Sequence, residues 1–209
     1  MGFLGVPQLE TLMRIATRPA EKPTPGKGAV DAMENYLRSH GYRDDNREVF
    51  DAVVRWGALE LEGRNARGLF LKGDCGIGKS LGMMFLAARF EFPVISAVDY
   101  ESAYLQMERE EFHRFIDAVD FFDRPARAVV IDDLGAESRT VTKYGTTINV
   151  LAYVLDRRYR VGFQRDGVRT LVACNLTDEE LRDRYGERID SRLDEMMQFA
   201  VVHGRSLRK

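Results

Sequence analysis

Eight residues constrain this chain more than any others: Gly73-Asp-Cys-Gly-Ile-Gly78-Lys79-Ser80. They fit the spacing G-x-x-x-x-G-K-[ST]. Its glycines let the backbone turn so that successive N–H groups converge into an anion nest. A helix opening at Lys79 would add the positive end of its dipole. The Lys79 ammonium then reaches the β- and γ-phosphates, and the Ser80 hydroxyl is placed to ligate Mg²⁺. Average composition produces this pattern by chance in on the order of one chain in a hundred of this length, so the flanks decide. Leu69-Phe-Leu71 precedes it as an apolar strand, and Leu81, Met84, Phe85 and Ala88 follow on one helix face. The predicted ligands are ATP and Mg²⁺, held by Gly73, Asp74, Cys75, Gly76, Ile77, Gly78, Lys79 and Ser80.

The same alternation continues along the chain. Further apolar runs occur at Val94-Ile95, Ala128-Val-Val-Ile131, Leu171-Val-Ala173 and Phe199-Ala-Val-Val202. Amphipathic helices are predicted between them, one marked by Ile148, Leu151 and Leu155. A long helical stretch over 99–122 has a place to break at Glu108-Arg-Glu-Glu111. Unbroken apolar strands alternating with helices predict a five-stranded parallel sheet covered on both faces, the three-layer α/β plan. Ligands then sit at the carboxyl ends of the strands. Ahead of this core, residues 68–209, two helices are predicted within 29–67 from Val30, Met33, Leu37 and from Val49, Val53, Trp56. Residues 1–28 read as an arm ending in the linker RPAEKPTPGKG.

Composition narrows the function classes. A net charge of -2 excludes coating of nucleic acid by bulk charge, though not a local basic track. No apolar run is long enough to span a bilayer, and the first residues carry no secretory pattern. Two cysteines, Cys75 and Cys174, read as reduced thiols of a cytoplasmic protein. His40, His113 and His203 have no metal-ligand spacing.

Three further segments carry chemistry. Ala128-Val-Val-Ile-Asp132-Asp133 is a strand ending in carboxylates, a Walker B element. Asp132 would hold Mg²⁺ through water, and Asp133 would orient the attacking water. Glu137 is either a second water-side carboxylate or a solvated loop charge. Thr170-Leu-Val-Ala-Cys-Asn175 ends in an amide that could sense the γ-phosphate or simply make a turn. Arg188 and Arg192, at i and i+4, share a helix face. Read alone they are exposed arginines paired with Glu187, Asp190 or Glu195.

Taken together, Gly73–Ser80, Ile131-Asp-Asp-Leu-Gly-Ala-Glu137, Leu155-Asp-Arg-Arg-Tyr159, Asn175-Leu-Thr-Asp-Glu-Glu-Leu181 and Tyr185–Leu193 resemble the AAA+ ATPase domain of DnaC/DnaI-type replicative helicase loaders. The related IstB transposition ATPases share most of these blocks. The resemblance covers roughly residues 40 to 209. It implies an ATP-dependent oligomeric switch that binds single-stranded DNA and a ring helicase. It also implies that Arg192 is an arginine finger acting across a subunit boundary, with Arg188 beside it. No C-terminal helical lid is expected after the fifth strand, as in those loaders. Asp132-Asp133 replaces the usual Asp-Glu, which suits a slow switch, or a module that binds ATP with little turnover. The N-terminal region is shorter than a loader's helicase-binding domain and lacks a zinc cysteine cluster. For DNA, the sequence offers Arg109, His113, Arg114, Arg124 and Arg127, then Arg157, Arg158 and Arg160, with Tyr100, Tyr104 and Tyr159 to stack bases. Each of these is equally an ordinary helix-face or core residue.

Overall fold

The computed structural model describes residues 23–43, 45–65, 67–119, 125–166 and 168–207. Most of the predicted arm, and Arg124, lie outside the described residues. Helices α1 (Lys27–Ser39) and α2 (Arg47–Leu61) come first. The Asn46 side chain starts α2 by accepting from the N–H groups of Glu48 and Val49. Gly57 lets the two helices close, since a Cβ there would stand 2.7 Å from Met33 Sδ. The expected linker ends earlier than its prolines suggest. Gly26 N–H donates to Glu62, and Arg55 and Arg64 donate to the carbonyls of Pro23 and Thr24. Residues from Pro23 onward therefore belong to the α2 layer.

The core then alternates β1 (Gly68–Gly73), α3 (Lys79–Phe90), β2 (Val94–Ser96), α4 (Ala97–Gln106), α5 (Arg109–Ile116) and β3 (Ala128–Leu134). It continues through α6 (Val150–Arg157), β6 (Arg169–Cys174), α7 (Asp178–Tyr185), α8 (Glu187–Met196) and β7 (Met197–Val202). Five strands pair in parallel in the order β2-β3-β6-β1-β7. The two-residue period of a strand sends neighbours to opposite faces. Leu69, Leu71, Val130 and Leu171 pack with α1, α2 and α3, while Phe70, Val129, Ile131 and Val172 pack with α4, α5, α6 and α8. Both faces are thus buried, which is the predicted three-layer plan.

The long helical stretch is two helices, broken between Gln106 and Arg109, where the Glu108–Glu111 charge run offered a break. Two features differ from the sequence reading. A small hairpin, β4 (Val141–Lys143) and β5 (Thr146–Ile148), stands between β3 and α6. Its turn places both Tyr144 and Gly145 at positive φ, 50° and 78°, the geometry that matches the twist of two short strands. Finally, α6 runs into a π-helical turn, Arg158–Asp166. No described helix is long and apolar enough to cross a membrane.

Candidate nucleotide-binding site

The strand order brings the carboxyl ends of β1, β6 and β3 side by side. The loop after β1 depends on glycine at two places. A Cβ on Gly73 would stand 1.7 Å from the carbonyl oxygen of Val202, and Gly78 turns into α3 at φ 97°. The resulting pocket, about 260 Å³, is lined by the loop, the first turns of α3, Asp133 and Asn175. Lys79 lies within it, donating to the carbonyls of Gly73 at 2.8 Å and Asp74 at 2.6 Å, and to Asn175 Oδ1 at 2.6 Å. Burial pulls its pKa below that of an ordinary lysine, opposed by nearby groups including Asp133 and Asp74. Of the predicted phosphate residues, Cys75, Gly76, Gly78, Lys79 and Ser80 line the pocket. Ile77 instead is buried in the core under α2, and the Asp74 carboxylate accepts from Gly204 N–H.

The end of β3 is bent toward this pocket. Its register against β6 shifts between Ile131 and Leu134, and Asp133 sits at φ 51°. Aspartate tolerates that left-handed conformation better than most residues, and the bulge re-aims its side chain. Asp132 Oδ1 is buried with no hydrogen-bond partner among the described residues. A buried carboxylate oxygen without a donor, one residue before Asp133 of the pocket, is a donor type that fits Mg²⁺ or its water shell.

The structure corrects several sequence candidates. Glu137 is buried and fully engaged. Its Oε1 accepts from Arg184 Nε at 3.0 Å and the Tyr185 hydroxyl at 2.7 Å, and its Oε2 accepts from Gly135 N–H at 2.9 Å. It braces the β3 loop against α7, with both of its oxygens already held by protein donors. Arg158 is 1% exposed and donates to Thr170 Oγ1 and to the carbonyls of Arg169 and Ile116. Arg157 is bidentate to Asp117. Neither is available to DNA, nor are Tyr100 and Tyr159, which are buried. Arg188 and Arg192 do share a face, but their partner is Asp156 on α6, which also holds Arg160. The Arg192 guanidinium lies over the Tyr159 ring, 4.9 Å from its centre.

The remaining cations separate. Arg114 borders a cleft near Pro93 and Phe115, with Arg127. Arg109 lines a different cleft of about 410 Å³, shared with Tyr104, Lys143, Tyr144 and Tyr153. His113 is hydrogen-bonded to Tyr153 there at 2.5 Å. Tyr144, at the hairpin tip, is 87% exposed. Sequence reasoning missed it because T-K-Y-G-T has no apolar period. The aromatic-glycine pair between threonines was the available signal.

No protein-family model and no curated sequence matches the chain. Among solved structures, a DNA replication initiation factor aligns at 18% identity and a TM-score of 0.55, over 79% of this chain and 48% of that one. The replication initiator DnaA bound to AMPPCP and single-stranded DNA aligns at 16% and 0.52, over 83% of this chain and 50% of that one. The DnaC helicase loader aligns at 18% and 0.47, over 87% and 94%. The first two likenesses establish the architecture. Together with the strand order and the phosphate loop, they make this chain a three-layer P-loop NTPase fold of the AAA+ type, with a five-stranded parallel sheet.

Proposed function

We propose that the chain is a cytoplasmic ATP-dependent switch of DNA replication, a helicase loader that binds single-stranded DNA and a ring helicase and assembles through its ATP sites. The observation that carries this reading is the meeting of Lys79, Ser80, Asp133 and Asn175 around one pocket of about 260 Å³. ATP would draw Lys79 off Asn175 onto the β- and γ-phosphates, leaving the Asn175 amide to report on the γ-phosphate. Ser80 and Asp132 would hold Mg²⁺, which supplies charge neutralisation on the phosphates. Asp133 would orient the attacking water, and its short side chain suits slow turnover. Arg192, acting across a subunit boundary, would exchange Asp156 for a neighbour's γ-phosphate. A well-placed finger is worth about 10³–10⁵ in rate, and at the lower figure roughly 4 kcal/mol of barrier.

Single-stranded DNA would use the hairpin cleft. Tyr144 offers an open ring for stacking, with Arg109 for phosphates, while Lys143 is held by the carbonyls of Tyr104 and Met107. That a structural neighbour was solved with AMPPCP and single-stranded DNA supports both ligands. A transposition-helper role of the IstB kind would use the same site. An interaction module with little turnover is a second reading, favoured by the engagement of Arg192 with Asp156. The test is phosphate release with and without single-stranded DNA, for wild type, Arg192→Ala, Lys79→Ala and an equal mixture of the two variants. A trans finger predicts that both variants are slow and that the mixture recovers activity, because one interface pairs an intact Lys79 with an intact Arg192. A mixture as dead as its parts removes the finger from the neighbour's site.

A further inference from the structure

The segment after β7 is stitched onto the outside of the phosphate loop. His203 N–H donates to Glu48 Oε2 at 2.7 Å, and its carbonyl accepts from Asn46 Nδ2 at 3.0 Å, tying it to the start of α2. Gly204 N–H donates to Asp74 Oδ2 at 3.3 Å, and Leu207 N–H donates to the Gly76 carbonyl at 2.9 Å. The Leu207 side chain lies against Gly78, its Cδ1 3.6 Å from where a Cβ would stand. In an anion nest the N–H groups converge on the ligand and the carbonyls point away. A strap held by the Gly76 carbonyl therefore leaves the nest free for phosphates.

The surroundings of this strap are apolar where a phosphate site alone has no use for apolar groups. Leu207 is 45% exposed, Leu81 48% and Met84 49%. Leu81 and Met84, at i and i+3 on α3, border the phosphate pocket itself. Apolar side chains left open beside an anion nest mark a ligand with both a charged and an apolar end. A nucleoside triphosphate has that form: the nest fixes the phosphate end, and the flat base must leave along the rim.

We propose that His203–Leu207 forms the nucleoside-side wall of the site, with Leu207 closing on the base from one side and Leu81 and Met84 supporting it from the other. The proposal rests on the nucleotide reading above and goes further in assigning base recognition to the strap. Because Asp74 and Gly76 hold the strap to the loop, the wall and the phosphate nest form one unit.

The experiment compares ATP with inorganic tripolyphosphate, which carries the charge and lacks the base. Calorimetry on wild type, Leu207→Ser and Met84→Ser gives both dissociation constants for each protein. Each substitution is expected to weaken ATP on the order of tenfold, as for a leucine or methionine that loses its burial. Tripolyphosphate affinity stays within about twofold. Leu207→Met, which keeps the apolar contact, retains wild-type ATP binding. The proposal is overturned if Leu207→Ser leaves ATP affinity unchanged or tightens it, or if it weakens both ligands alike, since the strap would then be idle, occluding or a mere prop. If wild type binds neither ligand, the phosphate-loop reading itself has failed, a result distinct from the others.

Discussion

Replacing Glu137 with alanine separates a bracing carboxylate from a reacting one. The Glu137 side chain has no exposed surface and Arg184 is 11% exposed, so their contact at 3.0 Å is shielded from water. Removing the carboxylate leaves a buried guanidinium without its counter-charge and the Tyr185 hydroxyl without its acceptor. Breaking a buried pair from one side costs about 3–5 kcal/mol. For a domain of this size each kcal/mol moves the melting temperature by about 2–4 °C. The expected drop is on the order of 10 °C. Glu137→Gln keeps one acceptor and the volume, and should lose less. Replacing both partners, Glu137→Ala with Arg184→Met, removes the orphaned charge and should recover much of the loss, because the two effects are coupled. Thermal melts followed by circular dichroism without nucleotide give these differences. If Glu137→Ala melts within about 2 °C of wild type yet no longer releases phosphate, the bracing role is wrong and Glu137 belongs to the reaction.

Burial pushes the Cys174 thiol up to about 11, while Cys75 is exposed at the phosphate pocket. Iodoacetamide at pH 8 should label Cys75 alone, and ATP with Mg²⁺ should slow it; labelling of Cys174 in the folded protein would contradict the packing. In DNA binding by anisotropy, Tyr144→Ala should weaken single-stranded DNA by about 1–3 kcal/mol, the usual worth of one stacked base. Arg158→Met should instead lower stability, leaving DNA affinity unchanged in the fraction that remains folded. The reverse pattern would move the DNA site to the π-helical turn after α6. Burial, then the charges of Arg157 and Arg109, hold the His113 pKa below its usual value. The folded state therefore keeps this imidazole neutral, and its contribution to stability is present above the unfolded pKa of about 6.5. It is lost as pH falls through the lower folded value. Denaturant unfolding between pH 7 and 5 should show that loss, and His113→Gln should flatten it.

The sheet was legible because each strand carries a short apolar run, and three of these strands end in residues of the site. Gly73, Asp132, Asp133 and Asn175 stand at three strand ends that the parallel order makes adjacent. Lys79 and Ser80 follow from spacing, since a nest and a helix start leave them one place to go. Arginine roles were less legible. Arg157, Arg158 and Arg160 form one basic cluster in sequence, yet α6 and the π-helical turn send them to Asp117, to buried backbone and to Asp156. Only the Arg160–Asp156 pair, at i and i+4, was there to read. The partner of Arg157 lies 40 positions away and those of Arg158 are a threonine hydroxyl and backbone carbonyls, so the sequence does not carry their address. Glu137 was ambiguous for the same reason, its partners being Arg184 and Tyr185. The strap after β7 was hidden because H-G-R-S-L reads as a polar tail, and its bonds to the phosphate loop are made by backbone N–H groups that any sequence possesses.

Whether the pocket at the ends of β1, β3 and β6 binds ATP for hydrolysis is decided by measuring ATP binding and phosphate release for wild type and Lys79→Ala side by side, with matching circular dichroism spectra to confirm the fold. Wild type is expected to bind ATP and release phosphate slowly, and Lys79→Ala, folded but without the pocket's ammonium, to lose binding or turnover. Unchanged binding and unchanged hydrolysis in the folded Lys79→Ala protein would contradict this reading.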